Sequence, residues 1–227
     1  MNWDALFLSL KLAAVVCAIL LTIGLPIAYW IAFSHARGRF IVESIVALPL
    51  VLPPTVLGFY VLVALGNQSP LGRLYQSWSG HLLPFTFGGL VVASVIYSLP
   101  FAVQPVAASF SMIDRNLLSA SATLGASRMR TFFRIVLPLS MGGVVTGMVL
   151  SFAHTLGEFG VVLMVGGNIP GVTETISIAI YDDVLALDYA SANHLAMVLL
   201  LFSFVVLSLT YSLNRRLSSP WALRRLG

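Results

Sequence analysis

The sequence predicts an all-α membrane protein with about five transmembrane helices. Apolar residues make up 59% of its 227 residues and charged residues only 9%, whereas a soluble domain carries about 25% charged residues. Most of the chain therefore cannot face water. A helix needs roughly 20 apolar residues to cross a bilayer, and five stretches reach that length, at about Leu6–Phe33, Ser44–Leu65, Phe85–Phe110, Ile135–Val165 and Leu195–Leu213.

Prolines interrupt two of these spans, and glycines mark a third. The second span contains Pro53-Pro54, and the third contains Pro100 and Pro105. Because each proline removes a helical hydrogen bond and clashes with the preceding turn, we expect both helices to be kinked or locally unwound. Either neighbouring helices satisfy the freed backbone groups, or the broken helices line a polar pathway near mid-membrane. In the fourth span, Gly143 and Gly147 form a small-xxx-small pattern that allows close helix packing.

The basic residues fall almost entirely at one end of the predicted spans. Ten of the 12 Lys and Arg residues follow the first, third and fifth spans: Arg37, Arg39, Arg115, Arg128, Arg130, Arg134, Arg215, Arg216, Arg224 and Arg225. By the positive-inside rule this face is cytoplasmic, the N-terminus is outside and the C-terminus is inside. Arg73 lies on the opposite face, where the outer segment 166–193 carries acidic residues and no basic ones. The formal charge of +4 thus reflects topology and does not indicate nucleic-acid binding.

The segment 114–138, between the third and fourth spans, carries the strongest local pattern. Asp114 can cap a short helix that begins at Arg115, and Gly125 supplies a left-handed stop after it. This helix would lie on the cytoplasmic surface and present small side chains that suit insertion into a cleft of another protein, Ser119, Ala120, Ser121 and Ala122. The alternative is an ordinary amphipathic connector whose arginines set the topology.

This segment resembles the signature loop of ABC-importer permeases, which reads Glu-Ala-Ala, three residues, Gly, nine residues, Ile-x-Leu-Pro. Gly125, Ile135, Leu137 and Pro138 fit that spacing, whereas Ser119-Ala120-Ser121 replaces Glu-Ala-Ala. The resemblance implies a type I ABC-importer permease fold whose coupling helix docks in a groove of a cytoplasmic ATPase. The implied coupling residues are Ser119, Ala120, Ser121, Leu124, Gly125, Ala126, Ser127 and Arg128.

A second resemblance concerns the cargo. Several runs are similar to those of the molybdate permeases: Leu48–Pro54, Thr155–Gly160, Gly167–Gly171 with Thr173 and Thr175, and Ala179–Tyr181. Sulfate permeases have a similar Gly-Glu-aromatic-Gly stretch, but the Asn-Ile-Pro-Gly and Ala-Ile-Tyr runs favour molybdate. The resemblance covers about residues 5–213 and implies one permease domain over residues 1–227. Sulfate and tungstate remain alternative cargoes, and a membrane-embedded enzyme or channel is the alternative class.

The resemblance also implies the partners. These are two copies of a cytoplasmic ATP-binding subunit, a periplasmic or extracellular oxyanion-binding protein, a second copy of this chain, and the lipid of a bacterial cytoplasmic (inner) membrane. Lys11 is the sole lysine and has no glycines before it, so the chain lacks the phosphate-binding motif G-x-x-x-x-G-K-S/T. We therefore expect ATP hydrolysis on a separate chain, and we expect no catalytic residues, cofactor or metal here.

Candidates for a pathway or gate follow from the chemistry of a tetrahedral dianion. Backbone N–H groups at helix N-termini bind such anions well, and a few hydroxyls beside broken helix ends would still allow release. Glu158 is a costly intramembrane charge and a functional candidate by default. Because a carboxylate repels an oxyanion, we expect it to fix a loop near the outer gate, through the amides near Gly157 and Gly160 or through Thr155 or His154. The candidates are Pro53, Pro54, Thr55, Ser98, Pro100 and Glu158.

The charge pattern makes a topology prediction. In a variant whose native Cys17 is replaced by alanine, single cysteines placed near Arg73 and near Asp183 should react with an impermeant thiol reagent from outside, and a cysteine near Arg130 should not. Labelling of intact cells measures this accessibility. Reaction of the Arg130 and Asp183 positions from the same side would contradict the five-span topology.

Overall fold

A computed structural model describes residues 3–217, with side chains described for residues 3–212. Arg224 and Arg225 lie outside the described residues, as do the side chains of Arg215 and Arg216. In the described part of the chain the regular elements are helices: α1 (Trp3–Phe33), α2 (Arg39–Val51), α3 (Pro54–Leu65), α4 (Pro70–Ser79), α5 (Phe87–Ser111), α6 (Arg115–Thr123), α7 (Arg128–Thr131), a π-helical segment (Phe132–Val136), α8 (Leu137–Leu139), α9 (Met141–Leu156), α10 (Gly160–Gly166), α11 (Ile176–Leu185) and α12 (Tyr189–Leu217).

Within these residues, helices α1, α5 and α12 are each long and apolar enough to cross a membrane. Two bent helix pairs raise the number of candidate spans to five when each pair is counted as one span: α2 with α3, bent by 115°, and Arg128–Leu139 with α9, bent by 73°. The predicted all-α architecture is confirmed. The first, third and fifth spans match uninterrupted helices, whereas the second and fourth are interrupted.

The break in the second span lies at the predicted prolines. Leu52 and Pro53 adopt extended backbone angles, and Pro54 begins α3, where its missing N–H group costs no helical hydrogen bond. The two halves of the span, α2 and α3, pack against different parts of α5. Val46 of α2 belongs to the same apolar cluster as Phe110, whereas Val61 of α3 packs in a cluster with Ala93. The span therefore continues along α5 despite the bend.

The third span contains no break at its prolines. Helix α5 is uninterrupted although Pro100 and Pro105 lie inside it, so the expected local unwinding is absent. Helix α9 packs closely along this part of α5. A Cβ built on Gly143 would lie 2.8 Å from the carbonyl oxygen of Pro105, and one built on Gly147 would lie 2.7 Å from that of Ala102. The small-xxx-small interpretation is confirmed.

The fourth span is not the single helix Ile135–Val165 that its apolar run predicts. The chain enters through α7 and the π-helical segment, bends by 73° and then forms α9. Helix α9 ends at Leu156, and the residues Gly157–Phe159 separate it from α10. Pro138 lies in the short helix before the bend, which begins at Ser140. Since proline cannot donate to the preceding turn, it contributes to the irregular hydrogen bonding there.

The apolar core lies where α1, α5 and α9 meet. Near the end that carries α6, Phe132 packs edge-on to Tyr29 and Phe110, with ring centroids 5.5 and 6.1 Å apart. Towards the other end, Leu12 belongs to a cluster that includes Ile178 of α11. The outer segment thus contains a helix that buries one of its faces in the core. Helix α12 packs on α9 and α11 and leaves much of its apolar surface exposed, as suits contact with lipid.

Candidate functional site

The two interrupted spans meet at their breaks. Helices α3 and α10 pack side by side, and glycines set the distance between them. A Cβ built on Gly160 would lie 2.8 Å from the Cβ of Pro54, and one built on Gly58 would lie 2.8 Å from the Cβ of Met164. The break after α2 and the break after α9 are therefore brought together in space.

A cavity of about 610 Å³ lies at this junction. Its polar lining consists of Thr55 from α3, Tyr97 from α5, His154 from α9 and Glu158 from the break between α9 and α10. The rest of the wall is apolar or glycine, and no described lining residue is Lys or Arg. The site can offer neutral hydroxyl and imidazole donors to a ligand, but it lacks the fixed cations that bind an oxyanion tightly.

The imidazole of His154 is held in place by α5. Its Nδ1 lies 2.9 Å from the Oγ of Ser98, which in turn lies 2.8 Å from the Oγ1 of Thr155. The ring stacks on Phe101 at a centroid distance of 4.0 Å and contacts Tyr97 at 4.6 Å. Ser98 is buried and is not part of the cavity lining. Its hydroxyl therefore orients the imidazole from the side that faces away from the cavity.

Glu158 is 4% exposed, and neither carboxylate oxygen has a hydrogen-bond partner among the described residues. The hydroxyl of Ser94 is close to the carboxyl, but the Ser94 Oγ also has no hydrogen-bond partner among the described residues. The expected partners of the carboxyl are therefore wrong, because His154 and Thr155 both bond to Ser98 instead. An unsatisfied buried polar group costs about 1–3 kcal/mol, so this carboxyl would gain from any rearrangement that brings a donor to it.

The pathway candidates divide into three groups. Pro54, Thr55 and Glu158 line the cavity together. Pro53 is exposed at the break beside it, and Ser98 lies behind its wall. Pro100 is buried within α5 and does not reach the lining.

Sequence reasoning missed Tyr97 as a lining residue and considered His154 only as a partner of Glu158. The signal for Tyr97 was its spacing of four residues from Phe101, which places both rings on one face of α5. Nothing in the sequence places that face against His154.

In the described part of the chain, no group of three or more His, Cys, Asp or Glu side chains could hold a metal ion.

The predicted coupling helix is present as α6. Its cap is formed by Asp114, whose Oδ1 accepts a hydrogen bond of 2.9 Å from the N–H of Asn116. Gly125 follows with a φ of +73°, as predicted for a left-handed stop. Leu117 and Leu124 are 46% and 86% exposed. The helix thus presents apolar side chains to its surroundings, as a docking element would.

The predicted coupling residues do not all face outward. Most of them are exposed: Ser119, Ala120, Leu124, Gly125, Ser127 and Arg128. Ala126 is partly buried and Ser121 is buried. The hydroxyl of Ser127 accepts a hydrogen bond of 3.3 Å from the N–H of Arg130 and so caps α7.

The loop between α10 and α11 contains the run that favours molybdate, and its polar groups serve the fold. The Thr173 hydroxyl donates a 2.8 Å hydrogen bond to the carbonyl of Gly166 and accepts one of 3.2 Å from the N–H of Ile169. The Asn168 amide donates to the carboxylate of Asp182. None of these residues lines the cavity. This run therefore fixes the connection between two helices and makes no contact with the candidate pathway.

The interrupted spans, the cavity at their breaks and the exposed helix α6 together define the membrane subunit of an importer. The sequence matches, over residues 24–219, the family described as "Binding-protein-dependent transport system inner membrane component", and the chain belongs to that family. It is 51% identical over 93% of both chains to the molybdenum transport system permease protein ModB of Azotobacter vinelandii. It is 38% identical to ModB of Escherichia coli K12 over 79% of each chain. A probable sulfate transport permease of Prototheca wickerhamii is 29% identical over 88% of this chain and 78% of its own length.

Solved structures show the same fold. A bacterial ABC transporter for the import of alginate is similar at a TM-score of 0.75 and 18% identity, over 95% of this chain and 79% of that chain. The MetNI methionine ABC transporter in an inward-facing conformation is similar at a TM-score of 0.73 and 16% identity, over 96% and 97% of the two chains. The predicted permease fold is thereby confirmed.

The left-handed turn after α6 makes a prediction about coupling. A Cβ on Gly125 would meet no atom within 4 Å, so the strain of a substitution there lies in the backbone at its positive φ. Gly125→Val should cost roughly 1 kcal/mol or more at this φ and should lower ATPase stimulation while the protein still inserts. Gly125→Asn is the matched control, because asparagine tolerates the left-handed region. Normal transport by the valine variant would contradict the role assigned to this turn.

Proposed function

We propose that this chain is the membrane-spanning subunit of an ATP-driven ABC importer that moves molybdate across the cytoplasmic membrane. The observation that carries the proposal is the 51% identity to a molybdenum permease over 93% of both chains. The sulfate permease similar to this chain shares 29% of its residues. Molybdate is thus favoured over sulfate as the cargo. Tungstate is a dianion of the same shape as molybdate and is expected to follow the same path.

The working assembly contains two copies of this chain, two copies of a cytoplasmic ATP-binding subunit and an external binding protein. The family description names dependence on a binding protein, and the alginate transporter similar to this chain has been crystallised with its periplasmic protein. The arginine-rich end, which carries α6, faces the cytoplasm under the positive-inside rule. The N-terminus of α1 then lies outside.

The cavity at the two helix breaks forms part of the pathway and its gate, with the opposing wall supplied by the second copy. Thr55, Tyr97 and His154 offer donors that bind a dianion weakly, which suits a site that must release its ligand. Glu158 does not contact the anion. Its carboxyl has no donor among the described residues in this arrangement, and it gains one when the helix ends beside it move, so it contributes to the difference in free energy between gate conformations.

Transport follows from the connection between α6 and this cavity. When ATP closes the two ATP-binding subunits, the docked coupling helices are drawn together. Their movement reaches α9 through the π-helical segment, and α9 carries His154 at its far end. The same chain segment therefore connects the energy source to the gate. No residue of the described chain has to perform chemistry on the anion.

Cargo selection is tested by reconstituting the complex with its native binding protein. Molybdate and tungstate should stimulate ATP hydrolysis, and sulfate should do so far less, because discrimination requires several fixed donors that the binding protein supplies. The measurement is hydrolysis rate against anion concentration. Strong stimulation by sulfate alone would reject molybdate as the cargo and leave the importer mechanism intact.

The pathway residues are tested by deleting single hydroxyls. Thr55→Val and Tyr97→Phe should each lower the rate of molybdate uptake about fivefold, the effect of losing one hydrogen bond of ordinary strength. Thr22→Val is the control, since the exposed Thr22 hydroxyl bonds to the carbonyl of Ile19 within its own helix. Uptake by proteoliposomes measures the effect. Unchanged uptake by both cavity variants would place the pathway elsewhere.

A further inference from the structure

One side chain of the coupling helix is directed into the protein. Ser121 is 7% exposed and is the buried residue of α6. Its Oγ lies 2.8 Å from the Oγ1 of Thr131, the last residue of α7. In the permease signature an alanine stands at this position, and alanine could not make this bond. The hydroxyl thus gives this chain a contact that the signature does not provide.

The bond closes the turn between the two helices. Inside that turn, the N–H of Gly125 donates to the carbonyl of Ala122 at 2.9 Å, and the N–H of Ala126 donates to the carbonyl of Ser121 at 3.1 Å. These backbone bonds hold the turn to α6 but do not hold α6 to α7. The contact between Ser121 and Thr131 is the side-chain hydrogen bond that the structure describes between the two helices.

Thr131 connects directly to the core. The π-helical segment begins at the next residue, Phe132, whose ring packs against Tyr29 and Phe110. The segment ends at Val136, which is 1% exposed. A displacement of Thr131 must therefore move a packed part of the protein. π-Helical turns are rare and occur frequently at functional sites.

We propose that Ser121 is a positioning residue that clamps the coupling helix to the start of the fourth span. The inference rests on the proposed function, because it assumes that α6 receives the movement of an ATPase. With the clamp in place, α6 and α7 move as one body, and the movement enters the π-helical segment. Without it, the turn at Gly125 absorbs part of the movement, and ATP is hydrolysed without transport.

The clamp contributes more to coupling than to folding. Thr131 is only partly buried, so its hydroxyl can bond to water when Ser121 is removed, and the cost to the folded state is small. The coupling function, in contrast, depends on the relative position of two helices. Ser121→Ala should therefore change the ratio of ATP hydrolysed to anion transported before it changes the thermal midpoint of unfolding.

The experiment removes the bond from either side in the reconstituted complex with its binding protein and molybdate. Ser121→Ala and Thr131→Val should each raise the ATP-to-molybdate ratio about fivefold, and the double variant should show no further increase. Thr131→Ser keeps a hydroxyl and should keep the ratio of the unsubstituted complex. The control is Ser111→Ala, because the Ser111 hydroxyl bonds to the carbonyl of Ala107 within α5.

A second measurement does not depend on the cargo. Hydrogen exchange at the amides of residues 124–126, measured without anion, should be faster in Ser121→Ala than in Ser111→Ala. Unchanged exchange in Ser121→Ala, an unchanged ATP-to-molybdate ratio in both deletion variants, or additive effects in the double variant would each overturn the clamp. Failure of molybdate to stimulate the unsubstituted complex would instead reject the proposed function, and the exchange result would still decide the clamp.

Discussion

A helix that breaks inside a bilayer frees backbone groups for which lipid offers no hydrogen-bond partner, and this constraint organises the centre of the molecule. The protein places its two breaks against each other and covers them with α5. Gly58 and Gly160 allow the approach of α3 and α10. The cavity lies between these helix ends and α9. Irregular backbone is therefore present where protein or a water-accessible cavity can satisfy it.

Helix α5 serves as the scaffold for both functional regions. Towards α6, its Phe110 packs in the cluster that receives the π-helical segment. Further along, Ser98 holds the imidazole of His154 at the cavity. Helix α9 lies along the same surface through Gly143 and Gly147. The continuous α5 thus packs against both interrupted spans.

Much of the architecture could be predicted from the sequence, because composition and local chemistry determine it. The long apolar runs define α1, α5 and α12. The prolines at Pro53-Pro54 define the break in the second span, and Asp114 and Gly125 define the ends of the loop that carries α6. Each of these signals depends only on neighbours in the chain.

The remaining features depend on contacts between distant residues. The apolar run Ile135–Val165 does not reveal its own interruption, because glycine is also common in intact membrane helices. The sequence also does not show that α5 stays helical through Pro100 and Pro105. Likewise, the position of His154 beside Tyr97 and the lack of a partner for Glu158 follow from the packing of α3, α5, α9 and α10, which no local pattern encodes.

The close approach of α3 and α10 also has an evolutionary consequence. Along the lipid-facing side of α12, one apolar residue can replace another at little cost, because lipid adapts to its shape. Gly58 and Gly160 have no such freedom, since Met164 and Pro54 occupy the space that a side chain would need. The facing atoms are themselves Cβ atoms, which every residue except glycine carries, so a smaller side chain on the facing helix does not make room. A change at either glycine therefore requires α3 and α10 to move apart.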